Sequence, residues 1–360
     1  MHPKYPNIFQ PIDLGPVRLQ NRFYASPHVQ PMTDAQGAPT EDVISYYVER
    51  VKGGCGLIIL SMTVPHRTNL VQPSPEAAEN IPGLRALSEA IHDAGGKIFA
   101  ELFYWWGRPG QWQPYSTPAP SMGPSMVQYN HFDRGMTTRE MTRDEIRRMI
   151  KSYATGARNL REAGYDGIMM HAAHGAQLEQ FMSPYFNRRT DEYGGSFENR
   201  MRFPTEAFES VREAAGSDLA VGMRLNCDEL VSGGYSTDEA RGIVEHFTSG
   251  GLVDFVDLDI AIEPNQFFYG MAPAFVPEHP YVPYVRAVRD GAGKVPVLSV
   301  LGRLTSIADG EKALAEGLCD MVGAARALIA EPYLVVREQC DFGSGTAQGH
   351  SRRAVASCCG

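Results

Sequence analysis

His171 and His174 stand three residues apart, where the apolar run 167–170 ends and just before Gly175. Such a run suits a buried strand, and the segment from Ala176 onward can start a helix. Two imidazoles at the carboxyl end of a strand lie on the binding face of a parallel α/β fold, because strand carboxyl ends and their loops build that face. A metal would need a third ligand. No further His/Glu pattern of metal-binding spacing accompanies the pair, so no metal is expected.

Four other groups carry chemistry. Arg224 closes the run Gly222-Met223-Arg224 and offers a permanently charged fork of donors. Gly302-Arg303 and Gly323-Ala324-Ala325-Arg326 pair glycine with arginine; glycine lets a backbone approach phosphate closely, and arginine matches its oxygens in pairs. Glu101 is followed by Tyr104, Trp105, Trp106 and Trp112, whose faces either attract an ammonium group or pack the top of the molecule. Asp257, Asp259 and Glu263 precede Phe267, Phe268 and Tyr269. Acids at a binding mouth suit a cation, although solvated rim acids are the commoner case.

These residues need a scaffold that brings distant segments to one face. Strand-like runs occur at residues 22–25, 57–61, 97–102, 167–171, 220–224, 255–259, 295–300 and 321–324. Helical spacing fills residues 41–52, 83–94, 142–163, 203–215, 236–249 and 307–316 between them. Eight strands alternating with helices predict an α/β fold of the (β/α)8 TIM barrel type. A doubly wound sheet fits less well, because no glycine-rich dinucleotide fingerprint follows the first strand. In a barrel, the two Gly/Arg segments fall after strands seven and eight, where phosphate is often held. Residues 114–138 are rich in Pro, Ser, Tyr and Met without periodicity, which predicts a lid over the site.

Composition narrows the partners. The 360 residues are 43% apolar and 21% charged, with a net charge of −9, as in ordinary globular proteins. No basic run favours nucleic acid or an anionic membrane. No apolar stretch nears the roughly 18 residues of a membrane span, and the first residues lack a signal-peptide core. Six cysteines without a regular framework fit reduced thiols in the cytoplasm. A small-molecule substrate is expected; a second copy of the chain and an electron-transfer protein stay open as partners.

The polar run 187–195 is too charged for a core and too specific for a linker. With its surroundings it resembles the Old Yellow Enzyme family of FMN-dependent oxidoreductases. The matching residues are His171-Ala172-Ala173-His174-Gly175, Gln180-Phe181, Ser183-Pro184, Asn187, Arg189-Thr190-Asp191, Tyr193-Gly194-Gly195-Ser196 and Glu198-Asn199-Arg200. The likeness runs from about residue 6 to residue 334 and is nearest to the trimethylamine dehydrogenase and 2,4-dienoyl-CoA reductase branch.

The resemblance implies a barrel binding FMN at its C-terminal face, with NAD(P)H as reductant. It places Ala25, Ser26, Pro27 and His28 along the flavin, Ser61 under it, and Glu101 at its pyrimidine edge, where many relatives have glutamine. Val29 stands where one branch has a cysteine bonded to the flavin, so non-covalent FMN is expected. The family's roles put His171 and His174 on a substrate carbonyl or anionic group, Arg224 beside the reducible ring, and Gly302, Arg303, Gly323, Ala324, Ala325 and Arg326 on the phosphate. Ala176 occupies the place of the tyrosine that protonates the substrate in ene-reductases. A proton must then come from Tyr24, Tyr104, His28, water or a lid tyrosine. Trp105, Trp106 and Tyr269 are the expected substrate contacts.

Three activities follow from the resemblance: reduction of an activated C=C bond, oxidative demethylation of an amine, and flavin binding without turnover. Residues 1–335 read as the barrel and 336–360 as a tail. Cys358-Cys359 lies near the iron–sulfur junction of the long relatives, but two adjacent thiols do not complete a four-thiolate cluster. An iron–sulfur centre is implied only for a longer natural chain.

Overall fold

The computed structural model describes residues 2–30, 32–64, 72–104, 122–131, 134–262 and 269–340. Its strands are β1 Ile12–Leu14, β2 Val17–Leu19, β3 Phe23–Ala25, β4 Leu57–Thr63, β5 Lys97–Phe103, β6 Met122–Gly123, β7 Gln128–His131, β8 Arg134–Thr137, β9 Arg139–Glu140, β10 Gly167–Ala172, β11 Ala220–Asn226, β12 Phe255–Asp259, β13 Val297–Ser299 and β14 Met321–Ala324. Eight of them close a parallel barrel in the order β10-β11-β12-β13-β14-β3-β4-β5. The expected (β/α)8 fold is therefore present, with each anticipated strand within a few residues of its place.

Helices cover the barrel: α1 Glu41–Lys52, α2 Ile81–Asp93, α3 Arg143–Glu162, α4 Gln177–Met182, α5 Phe197–Ala215, α6 Thr237–Ser249, α7 Val282–Val288, α8 Ile307–Ala315, α9 Arg326–Ala330 and α10 Leu334–Cys340. Strand residues buried on both sides explain the near-continuous apolar runs. α3 starts at a capping box, in which Thr142 and Glu145 satisfy each other's backbone groups. α5 begins six residues before the predicted start at 203. Ser196 caps it by accepting from the amide of Asn199, so the polar residues ahead of Pro204 belong to the helix rather than to a loop. α10 packs onto the barrel: Val335 and Val336 are buried, and the Val336 amide donates to the carbonyl of Gly53.

Inside the barrel, alternate residues interlock. Leu57, Ile59, Phe99, Met169, Ala220, Phe255, Leu298, Met321 and Tyr24 form one buried cluster with Ile12, Leu14, Val17 and Leu19 of the β1–β2 hairpin. The hairpin thus plugs the end where the strands begin, an element the sequence reading did not anticipate. Two glycines make room for rings. A Cβ on Gly222 would lie 2.3 Å from the Phe255 ring, and one on Gly323 would lie 2.4 Å from the Tyr24 ring. With that end filled, the polar cluster sits at the opposite, C-terminal mouth.

The expected lid is partly within the described residues. There β7 pairs antiparallel with β8 and β6 lies beside β9. The polar run 187–195 anchors its base. Arg189 forms a bidentate pair with Asp191, at 2.9 and 2.6 Å, and also donates to the carbonyls of Pro124 and Met141. Asn187 ties the carbonyls of Phe181 and Tyr193. The run is a structural clamp between the α4 region and the lid base.

Candidate active site

Four strands supply the polar cluster at the mouth. β10 carries His171, and the turn after it carries His174; β5 carries Glu101, β11 carries Arg224, and β12 carries Asp257 and Asp259. Period-two alternation points 101, 171, 224, 257 and 259 inward together. His171 Nδ1 lies 2.9 Å from Glu101 Oε1, and His174 Nε2 lies 3.2 Å from Asp259 Oδ2. Neither contact has the alignment of a full hydrogen bond. The two imidazole centroids are 5.2 Å apart. His174 has φ of 58°, a left-handed conformation a non-glycine residue adopts at a cost.

Arg224 binds the carboxylates together. It donates to Asp259 Oδ2 from Nε at 3.1 Å and from Nη2 at 2.5 Å, and to Glu101 Oε1 from Nη1 at 3.2 Å. Asp257 lies one layer deeper, accepting from the Tyr24 hydroxyl at 2.9 Å with its Oδ2 3.9 Å from Arg224 Nε.

The charges follow from this geometry. Burial pushes the Glu101 carboxyl up, but His171 and Arg224 outweigh it and hold it down at about 2. Burial likewise opposes ionisation of Asp259, yet His174 and Arg224 hold it far below the usual carboxylate range. Asp257 goes the other way: burial, aided by the charge of Asp259 against the pull of Arg224, lifts it to about 6. Burial lowers His174 to about 4 despite Asp259. Burial opposes the charge of Arg224 too, but Asp259, Glu101 and Asp257 keep it firmly protonated. Two ionised carboxylates thus face one guanidinium.

The other expected residues are dispersed around this centre. Ser61 pairs in register with Glu101 and accepts from Gln72 at 2.8 Å. Ala25 is in register with Ala324, and the Ser26 amide donates to the Ala324 carbonyl, joining the ends of β3 and β14 beside Pro27 and Ala325. His28 is occupied at both nitrogens, by the Ser26 carbonyl at 2.9 Å and the Tyr46 hydroxyl at 2.7 Å. At the expected phosphate corner, Leu301, Gly302 and Arg303 are all left-handed. Arg303 donates to the carbonyls of Pro273 and Val276. Arg326 donates through Nη1 to the carbonyl of Ala272.

Several expectations need correction. Gly323 faces the Tyr24 ring inside the barrel, where a side chain would not fit. Tyr104 packs against Tyr153 of α3, with centroids 6.4 Å apart, and no contact among the described residues joins it to the histidines. Asp257 and Asp259 are about 1% exposed, not solvated rim acids, and Asp259 is the partner the sequence reading missed. The alternation 255-257-259 was the signal that turns both acids inward. Tyr269 is 43% exposed on a loop. Trp105, Trp106, Trp112, Glu263, Phe267, Phe268 and the Cys358-Cys359 pair lie outside the described residues.

The donor set fits FMN in kind. Two ring nitrogens at the mouth are buried without an aligned partner; a guanidinium and a carboxylate stand beside them for a polar ring edge, and two arginines flank a glycine-bearing turn for a phosphate. Among the described residues, no helix is long and apolar enough to cross a membrane.

The profile of the NADH:flavin oxidoreductase / NADH oxidase family matches residues 7–342. The chain is 33% identical to the N,N-dimethylglycine/sarcosine dehydrogenase of Chromohalobacter salexigens over 93% of this chain and 48% of that protein. It is 33% identical to a multifunctional alkene reductase/demethylase of Caballeronia cordobensis over 91% and 48%. The solved structure of a 2-naphthoyl-CoA reductase complex superposes with a TM-score of 0.86 at 26% identity, covering 94% of this chain and 52% of that one. The chain spans about half the length of these relatives.

Proposed function

The chain belongs to the NADH:flavin oxidoreductase / NADH oxidase family, and from that premise we propose that it reduces an activated C=C bond of an α,β-unsaturated carbonyl compound at the expense of NAD(P)H. The observation that carries this reading is the His171/His174 pair at the barrel mouth, each ring backed by a carboxylate. FMN, when bound, supplies hydride transfer, and the protein orients the partners. His171, with Nδ1 beside Glu101, would donate from Nε2 to a substrate oxygen, where such a donor favours developing negative charge. Ala176 donates nothing, the Tyr24 hydroxyl is committed to Asp257, and both nitrogens of His28 are engaged. His171 and water are then the proton sources among the described residues. Ser26, Ser61, Glu101 and Arg224 would hold the flavin ring, and Gly302, Arg303, Ala325 and Arg326 its phosphate.

One observation favours a second reading, oxidation of a methylated amine. Ionised Glu101 and Asp259 outnumber Arg224 beside a His174 that burial keeps neutral, so the mouth suits a protonated amine. A relative acting on N,N-dimethylglycine and sarcosine supports it.

An anaerobic visible spectrum of the FMN-loaded protein separates the readings. The expected outcome is that NADH or NADPH bleaches the oxidised flavin band and an enone restores it. Bleaching by a methylated amine without nicotinamide would establish the second reading. Bleaching that no acceptor reverses would leave flavin binding without turnover. We place the protein in the cytoplasm, a reading supported by the free, buried thiols of Cys55, Cys227 and Cys319.

A further inference from the structure

Residues 269–281, which lead into α7, contain no helix or strand. Ala272 and Tyr281 are the buried ones, whereas Phe275 is 77% exposed and Met271 43%, so packing alone does not hold the segment. The expected phosphate corner does. Arg303 donates through Nη1 to the carbonyls of Pro273 at 2.9 Å and Val276 at 2.8 Å, and its Nη2 lies 3.3 Å from Glu278. Arg326 donates through Nη1 to the carbonyl of Ala272 at 3.0 Å. Two amides return the contact, His279 to the carbonyl of Gly302 at 3.2 Å and Tyr281 to that of Leu301 at 3.4 Å. Tyr281 closes the segment on itself, its hydroxyl donating to the carbonyl of Gly270. Its ring occupies the space beside Gly302, where an added Cβ would come within 2.7 Å.

Two guanidiniums gripping one short stretch repel each other. Neutral carbonyls offset that repulsion only in part, and Glu278 acts on one of the two from an exposed position. A phosphate would offset it directly. Each arginine has further N–H groups besides those on Nη1, so an anion taken there leaves the carbonyl bonds in place. We propose that residues 269–281 form a phosphate-gated strap: the phosphate of FMN fixes Arg303 and Arg326, the arginines fix the backbone at 272–276, and Tyr281 is the positioning residue that carries this order to the barrel mouth. The proposal rests on the reading of this corner as the FMN phosphate site.

Tyr281 meets the mouth in two ways. Its hydroxyl ties down Gly270, the neighbour of Tyr269, an expected substrate contact. Burial opposes the ionised form of Asp259, and the Tyr281 hydroxyl adds a smaller share to what His174 and Arg224 do to keep that carboxylate charged. A segment with few buried apolar contacts opens locally at little cost, so a ligand that favours its held form shifts its population. The coupling is reciprocal: whatever loosens the strap weakens phosphate binding by the same factor.

Amide hydrogen exchange over residues 270–281 tests the gate, with the protein saturated by FMN or by riboflavin, which lacks the phosphate. FMN should slow exchange at the bonded amides of Val276, His279 and Tyr281 about tenfold beyond riboflavin, a coupling of ordinary size. Equal protection in the two forms would overturn the strap. R303M and R326M test the underlying reading separately. Each should lose most of the preference for FMN over riboflavin, and variants that keep it in full would remove the phosphate from this corner. Y281F keeps the ring beside Gly302 and loses the hydroxyl. It should weaken FMN binding several-fold and leave riboflavin binding unchanged, as reciprocity requires. An equal loss for both flavins would make Tyr281 a merely structural residue and overturn its positioning role. None of these readouts needs turnover, so they stand apart from the choice of substrate. Should Y281F fail to fold, the exchange comparison on the parent protein still decides.

Discussion

Asp257 shows how one layer of depth changes the chemistry of a residue. Asp259, two positions on, is locked to Arg224 and stays ionised, whereas Asp257 receives only a tyrosine hydroxyl and a distant guanidinium. A carboxyl raised in the folded state contributes stability that is fully present below its unfolded value and is lost as pH rises through the folded one. For Asp257 that loss spans the interval from the ordinary carboxylate value to about 6. D257N keeps an acceptor for Tyr24 and cannot ionise. Its thermal midpoint relative to the parent protein should therefore rise between about pH 4 and about pH 7, as calorimetry at a series of pH values would check. The reverse trend would mean that Asp257 is an ionised partner of Arg224. The sequence put both acids at the mouth but did not show their charges or their partners. Sequence shows an acid at the end of a strand, but the cation that fixes its charge belongs to the neighbouring strand, and His174 comes from the strand beyond that.

At the scale of elements, the eight strands were readable because buried parallel strands are short apolar runs bounded by turns. His171 and His174 were readable because they follow such a run directly. The β1–β2 plug was not, since three-residue strands leave almost no periodic signal and the residues they pack against are spread from Tyr24 to Met321. Ring-filled barrels also make sharp demands on their glycines. G222A would place a methyl group against the Phe255 ring, and overpacking of this kind costs about 1–3 kcal/mol. Chemical denaturation should register that loss. The double variant G222A/F255L should recover part of it, because the smaller side chain vacates the space. Equal stability of G222A and the parent would show that the ring shifts freely, contrary to an interlocked interior.

The whole molecule carries a net charge of −9, and its mouth holds two ionised carboxylates against one arginine. On the proposed reading the reductant is a nicotinamide coenzyme, itself anionic, so long-range repulsion opposes its approach. Salt screens such repulsion over a Debye length of about 10 Å at 0.1 M ionic strength. Raising ionic strength should lower KM for NADPH, and lower it more than for the less charged NADH, while a neutral enone responds little. Steady-state measurement against salt concentration would test this. A rising KM for NADPH would reveal a local basic approach path that dominates the overall charge.

The plug also bears on biosynthesis. Residues 12–19 of the plug are made before β13 and β14, yet the cavity they fill is lined in part by Leu298 and Met321, and β3 finds its second neighbour only when β14 exists. A two-residue-turn hairpin of this size is not stable by itself in water. The nascent chain must therefore keep an apolar stopper unsatisfied until the last barrel strands are made, exposed to whatever binds greasy polypeptide in the interval. Barrel closure and stopper insertion become a single event, so a lesion in β13 or β14 is felt at the β1–β2 hairpin.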